Sequence, residues 1–305
     1  MENIYKREMR FLITKKCNYR CSFCHGEGLQ SPKKDLLTAE DIGFIYSVGR
    51  DYFGINTATL TGGEPLVRSD VADIVTQLSH EGCTVTITTN GYLLSNCMRI
   101  GSNVACLNIS LHTLDEDMYN QLVRHPDAFR KMISNLRTFR TKYPNVEICL
   151  NCTLVSGVNS DKQMIANLLK FAEDMKASIK FIELFPKNSN GYVPLNELRS
   201  FLYELGFYDI PSSVRKEKYT NDLIEVGLTK IFCAKACEEE SPADYCRSHN
   251  DLFVSPDGKI KPCRYSEFEV DILTAVKNRS VLETRQGIEQ AFDLLGNNCV
   301  CERRT

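Results

Sequence analysis

Cys17, Cys21 and Cys24 fall within eight residues, in Cys17-Asn-Tyr-Arg-Cys21-Ser-Phe-Cys24. The apolar run Phe11-Leu12-Ile13 precedes them and reads as a strand end leading into a loop. Three thiolates on one loop can hold three irons of a cubane iron–sulfur cluster, and the fourth iron is then open to a substrate. A zinc knuckle is the alternative, but a tetrahedral structural zinc needs a fourth ligand with its own spacing. The nearest, His25, follows Cys24 directly and is awkwardly placed to join the same metal. A chance run of buried cysteines is the weaker reading at this spacing.

Other stretches carry groups suited to a ligand. In Thr61-Gly62-Gly63-Glu64-Pro65-Leu66 the paired glycines let backbone approach a ligand closely, and Glu64 can accept from an ammonium. A plain turn with a solvated glutamate is the competing reading, and it weakens one strand after a cysteine loop. Thr88-Thr89-Asn90-Gly91, Asn108-Ile109-Ser110-Leu111-His112 and Val155-Ser156-Gly157-Val158-Asn159 follow. Each is ordinary loop chemistry alone. Together they outline a nucleoside-sized pocket, with His112 read as a satisfied loop histidine.

The elements that must position these groups alternate. Short apolar runs at Met9–Thr14, Thr57–Thr61, Thr84–Thr88, Cys106–Ser110, Glu147–Val155 and Ile179–Leu184 read as strands. Helical periodicity fills 39–50, 70–81, 115–123, 127–141, 160–175 and 194–205, with Thr38-Ala-Glu-Asp41 resembling a capping box. Repeated βα units imply an α/β fold with a parallel sheet. Six strands cannot close an eight-stranded barrel, so a partial (β/α)6 TIM barrel is expected, with ligands at the carboxyl ends of its strands. Cys83, Cys97, Cys106, Cys149 and Cys152 are read as core packing.

After about residue 206 the rhythm stops. Cys233, Cys237, Cys246, Cys263, Cys299 and Cys301 lie in this last third. Asp251–Ser255 and Lys259–Lys261 about Pro256-Asp257-Gly258 read as a β-hairpin, which brings Cys246 and Cys263 together. Cys299 and Cys301 can fold back to complete a site. Four thiolates also make a structural zinc set.

The loop pattern CxxxCxφC, with Phe23 as the aromatic, resembles the radical S-adenosylmethionine (SAM) enzymes. The resemblance implies that Cys17, Cys21 and Cys24 hold a [4Fe-4S] cluster whose open iron chelates SAM. One electron then yields methionine and a 5′-deoxyadenosyl radical. It further implies that Phe23, Gly62, Gly63, Glu64, Pro65, Thr89, Asn90, Ser110 and Asn159 line the SAM pocket, Glu64 receiving the amino group. Cys246-x11-Gly258-x4-Cys263 resembles the twitch and SPASM extensions, implying an auxiliary [4Fe-4S] cluster on Cys246, Cys263, Cys299 and Cys301, with Cys233 or Cys237 as substitutes. The division is 1–205 for the core and 206–305 for a small α+β iron–sulfur extension.

Thr-Gly-Gly-Glu-Pro-Leu, Thr-Thr-Asn-Gly-Tyr, Phe181-Ile182-Glu183-Leu184 and Pro256-Asp-Gly-Lys-Ile-Lys-Pro-Cys263 are similar to the MoaA-like GTP 3′,8-cyclases. In that family an arginine matching Arg10 contacts substrate. His249 stands where the family has the middle cysteine of Cys-x2-Cys-x13-Cys, and Asp251 and Phe253 stand where two arginines grip GTP. The family's terminal Gly-Gly is absent. Losing two phosphate-binding cations removes the charge complementarity of a triphosphate, so the substrate is expected to be small and nucleotide-like but not GTP. A peptide-modifying maturase and a non-catalytic iron–sulfur or zinc scaffold are the alternatives.

Composition bounds the partners. The chain has 305 residues, 43% of them hydrophobic, which suffices for a sizeable core. With 37 Lys and Arg against 39 Asp and Glu it carries no basic footprint for bulk nucleic acid. No apolar run approaches the ~20 residues that span a bilayer, and the start lacks a signal-peptide core. The 14 cysteines then indicate reduced thiols and metal centres in the cytoplasm. A flavodoxin- or ferredoxin-type reductase is the expected electron donor.

Overall fold

In the first strand, β1 (Glu8–Thr14), Met9, Phe11 and Ile13 join the main apolar core. Arg10 and Leu12 alternate with them and so face the other side of the sheet. The same alternation recurs in β2 (Thr57–Gly62), β3 (Thr84–Thr89), β4 (Cys106–Ser110), β5 (Glu147–Thr153) and β6 (Ser178–Ile182). There Ala58, Leu60, Val85, Ile87, Leu107, Ile109, Ile148, Leu150, Ile179 and Phe181 fill the core. The computed structural model describes residues 8–24, 26, 34–184, 191–213, 216–230, 251–264, 266 and 268–294.

Helices α1 (Ala39–Phe53), α2 (Val71–His80), α3 (Glu116–Val123), α4 (Ala128–Lys142), α5 (Lys162–Asp174) and α6 (Leu195–Glu204) lie much where their periodicity predicts, with α3 and α4 both after β4 and only a 3-10 segment, Leu94–Ser102, after β3. Thr38 and Asp41 close the expected capping box at α1. β1 to β6 pair parallel in chain order. The partial barrel is therefore borne out.

Two features exceed the expectation. A meander of β7 (Tyr208–Ser213), β8 (Lys216–Thr220) and β9 (Glu225–Thr229) returns to the sheet, and β9 pairs parallel with β6. At the other edge β10 (Leu252–Val254) pairs parallel with β1 and forms the expected hairpin with β11 (Lys259–Lys261), to which β12 (Val270–Asp271) adds. The strand order is β12-β11-β10-β1-β2-β3-β4-β5-β6-β9-β8-β7. Among the described residues the two edges do not meet, so the sheet stays open.

Helices α7 (Leu273–Lys277) and α8 (Val281–Asp293) close the described chain. Buried Asp41 of α1 accepts from Lys277 Nζ, and from Arg279 Nη1 at 2.7 Å, which fixes this segment to the barrel. Among the described residues no helix is long and apolar enough to cross a membrane.

The cysteine reading needs one correction. Cys83 and Cys152 are in the apolar core and Cys97 packs against it, as expected. Cys106 and Cys149 instead alternate with core residues and lie half-buried on the opposite, polar face. Each sulfur there is 3.9 Å from an asparagine Oδ1, of Asn108 and Asn151 respectively. That face also carries Thr59, Thr61, Thr86 and Thr88, so the sheet's inner surface is built for polar contents.

Candidate active site

Glu64 leaves the end of β2 and is 1% exposed. Its Oε1 accepts from the Leu66 N–H at 3.0 Å and the Thr89 hydroxyl at 2.6 Å, and its Oε2 accepts from the Asn90 N–H at 2.7 Å. Burial pushes its pKa up to about 7, against the three donors that favour the ionised form. A carboxylate so enclosed is suited to a cationic partner, which would restore the charge it struggles to hold.

The glycines beside it act on the neighbouring loop. Gly63 N–H donates to Thr14 O at 2.7 Å and Glu64 N–H to Lys16 O at 2.8 Å. A Cβ at Gly62, where φ is +135°, would stand 2.2 Å from Thr14 O, and one at Gly63 would stand 2.2 Å from Lys16 O. The close approach these residues permit is between the Glu64 turn and the backbone that launches the cysteine loop.

That loop is fixed at several points. Arg20 and Ser22 donate N–H groups to Val123 O and Leu122 O at the end of α3, each at 3.1 Å. Cys17 and Cys24 are exposed and Cys21 is partly buried. Cys17 Sγ accepts from the Tyr19 N–H at 3.3 Å, and Cys24 Sγ from the Gly26 N–H at 3.4 Å. Desolvation, opposed in part by that Tyr19 N–H and reinforced by the charges of Glu64 and Cys24, pushes Cys17 up to about 11. Desolvation with Cys24 and Cys17 as neighbours pushes Cys21 up to about 12.

Among the described residues no three His, Cys, Asp or Glu side chains converge as they would on one metal ion. A cubane takes each thiolate on a different iron, so its ligands need not meet at a point. Cys17 and Cys21 resist ionising alone, and a cationic inorganic core that takes the three neighbouring sulfurs as thiolates would offset that. The residues present fit a [4Fe-4S] cluster.

The remaining strand ends converge on the same mouth. Asn90 Nδ2 donates to Asn18 Oδ1 at 2.8 Å, bridging the end of β3 to the cysteine loop. Phe23 sits edge-on to His112 with ring centroids 4.7 Å apart. His112 is 5% exposed, and burial pulls its pKa down to about 4. Its Nδ1 lies 3.2 Å from the Thr153 N–H, so that nitrogen is the acceptor and the ring is neutral. The expectation of a satisfied loop histidine fits this arrangement.

Asn159 is placed differently from a ligand contact. It is fully buried; its Oδ1 accepts from Val155 N–H at 2.7 Å, and its Nδ2 donates to His112 O at 2.7 Å and Thr153 O at 2.8 Å. Its side chain ties the ends of β4 and β5 together. Ser110 ends β4 half-buried, its carbonyl accepting from the Tyr119 hydroxyl at 3.0 Å. Pro65 opens a buried turn behind Glu64.

Arg10 lies in register beside Phe253, which lies in register beside Lys261. The guanidiniums of Arg10 and Arg264 each stand 5.8 Å from the Phe253 ring centroid. Sequence reasoning missed Lys261 and Arg264. The signal was available, because β11 alternates Lys-Ile-Lys and so sends Lys261 to the Phe253 side. Of the expected auxiliary ligands, Cys263 follows β11 and is partly buried. Cys233, Cys237, Cys246, His249, Cys299 and Cys301 lie outside the described residues.

A partial parallel barrel with a three-cysteine loop at its carboxyl mouth defines the class. Residues 11–169 match the family model of the radical SAM superfamily. The chain belongs to that superfamily and is a radical SAM enzyme on its MoaA-like branch, using a [4Fe-4S] cluster and SAM. It is 33% identical over 284 residues to a probable GTP 3′,8-cyclase of Pyrobaculum aerophilum, covering 90% of this chain and 89% of that one. It is 29% identical to the GTP 3′,8-cyclase of Alkaliphilus oremlandii, covering 91% and 88%. Among solved structures, Streptococcus suis SuiB bound to S-adenosylmethionine aligns with a TM-score of 0.66 at 17% identity, covering 88% of this chain and 64% of that one, and supports the fold. The names of the two cyclases stand against the expectation that GTP is not the substrate.

Proposed function

We propose that this enzyme holds its cluster on Cys17, Cys21 and Cys24, places SAM with Glu64, and abstracts hydrogen from a small anionic substrate, with GTP the first to assay. The observation that carries the reading is the buried Glu64 carboxylate, presented by Thr89 and Asn90 and bonded through its backbone to Lys16 on the cysteine loop. When bound, the cluster and SAM supply a carbon-centred radical after one electron enters. Gly62, Gly63 and Pro65 set the Glu64 turn against the loop, and Phe23 covers one side. Thr89, Asn90 and Asn159 hold the strand ends in register, and Ser110 closes β4 beside them.

Asp251 and Phe253 supply no cation for a triphosphate. Arg10, which also pairs with Glu8 at 3.1 Å, Lys261 and Arg264 lie about Phe253 on the same patch, and this supports a phosphate-bearing substrate held by a different set of cations. In the rest of this reading residues 206–305 carry an auxiliary cluster on Cys263 with Cys246, Cys299 and Cys301, a flavodoxin or ferredoxin supplies the electron, and the enzyme works in the cytoplasm.

The test is anaerobic turnover of the reconstituted enzyme with SAM, dithionite and GTP. GTP should raise the yield of 5′-deoxyadenosine and be consumed, and Arg264→Ala should raise KM for GTP about tenfold or more with cluster content unchanged. Turnover of SAM that GTP neither stimulates nor enters would contradict the substrate assignment.

A further inference from the structure

Asn18, directly after Cys17, carries a buried donor whose identity the hydrogen-bond network fixes. The Tyr92 N–H donates to Asn90 Oδ1 at 3.0 Å, so that atom is the oxygen and the other terminus of Asn90 is its amide nitrogen. That nitrogen donates to Asn18 at 2.8 Å, so the receiving atom is Asn18 Oδ1. The remaining terminus is Asn18 Nδ2, which is buried and has no hydrogen-bond partner among the described residues. A backbone N–H thus sets the orientation of two amides in turn. Buried donors are nearly always satisfied, and this one sits within the loop of three thiols.

We propose that Asn18 Nδ2 donates to the sulfur of the cluster held by Cys17, Cys21 and Cys24, so that Asn18 is a positioning residue that raises the cluster's reduction potential. The inference rests on the proposed cluster ligands. Reduction adds negative charge to the cluster's sulfurs, and a hydrogen bond to sulfur favours the more negative state. Asn90 also holds Glu64 Oε2 through its N–H, so one residue joins the carboxylate proposed for SAM to the donor proposed for the cluster. A ligand that draws on Glu64 is thereby coupled to the ease of cluster reduction, and the converse holds by linkage.

The test is a mediated potentiometric titration of the SAM-binding cluster, followed by electron paramagnetic resonance, in the reconstituted full chain and in Asn18→Leu. Leucine keeps the volume and removes the donor without adding charge. The account expects an unchanged iron content and a midpoint shifted to more negative potential, with the shift on adding SAM diminished. An intact cluster in Asn18→Leu with the wild-type midpoint would overturn it. Should Asn18→Leu fail to hold iron, Asn18→Val decides, since it too removes the donor without adding charge. A wild-type midpoint there rejects the proposal, and a more negative one supports it. A wild-type chain that holds no cluster at these cysteines would instead reject the parent reading.

Discussion

Asn90 donates its N–H to Glu64 Oε2 at 2.7 Å, so the end of β3 fixes a carboxylate that β2 delivers. Glu64→Ala would leave three donors, on Leu66, Thr89 and Asn90, without their acceptor. Stability should fall on the order of 2–4 kcal/mol, as buried donors lose their partner. Glu64→Gln keeps the shape but loses the charge, and SAM affinity should fall on the order of tenfold to a hundredfold. Thermal unfolding and equilibrium dialysis with SAM check the two effects separately.

The pH dependence of SAM binding follows from the same group. Glu64 titrates at about 7 because burial disfavours its charge. An ammonium partner needs the ionised form, so affinity should be greatest between about pH 7 and pH 8, where an α-amino group begins to lose its own proton. Below about pH 7 affinity should fall toward tenfold per unit, with a proton released on binding. Glu64→Gln should flatten the profile. A wild-type affinity that does not fall between pH 7 and pH 6 would remove Glu64 from the binding role.

Gly62→Ala and Gly63→Ala should damage the cluster loop rather than merely the turn. Each added Cβ would stand 2.2 Å from a backbone oxygen, of Thr14 and Lys16 respectively. Backbone cannot yield as a flexible side chain does. The expected result is a loss of iron after reconstitution and a lowered Tm. Wild-type iron content in both variants would show that the two loops do not depend on this contact.

His112 makes a signed prediction about stability. Burial lowers its folded pKa to about 4 from 6.5. Between those values the unfolded chain binds the extra proton, so the His112 contribution is present above pH 6.5 and is lost as pH falls toward 4. The amount is about 3 kcal/mol over that window. Glu64, raised rather than lowered, opposes it over part of the range. The comparison is therefore between wild type and His112→Gln: urea titrations at several pH values should show the difference growing as pH rises from 4 to 6.5.

Much of the barrel is legible because its signals are local. Met9, Phe11 and Ile13 alternate, Thr38 and Asp41 cap, and helix periodicity bounds α1 to α6 within a few residues. The partners of β9 and β10 are not legible, since which strand edge a distant segment joins depends on tertiary geometry. Val226 and Leu228 alternate with polar residues and mark a strand, but nothing local directs it to β6. Cys106 and Cys149 were misread because a cysteine's type says little about which face of a strand it occupies. Asn18 escaped notice because its importance lies in Asn90 and Tyr92, far away in sequence. The paired glycines were read toward a ligand, whereas their visible contact is with the cysteine loop.

Anaerobic reconstitution, reduction with dithionite and quantification of 5′-deoxyadenosine formed from SAM test the central claim most directly. The account predicts 5′-deoxyadenosine and methionine from the wild type and essentially none from Cys24→Ala. Wild-type enzyme with a full complement of iron that leaves SAM intact, or a Cys24→Ala variant that cleaves it undiminished, would contradict it.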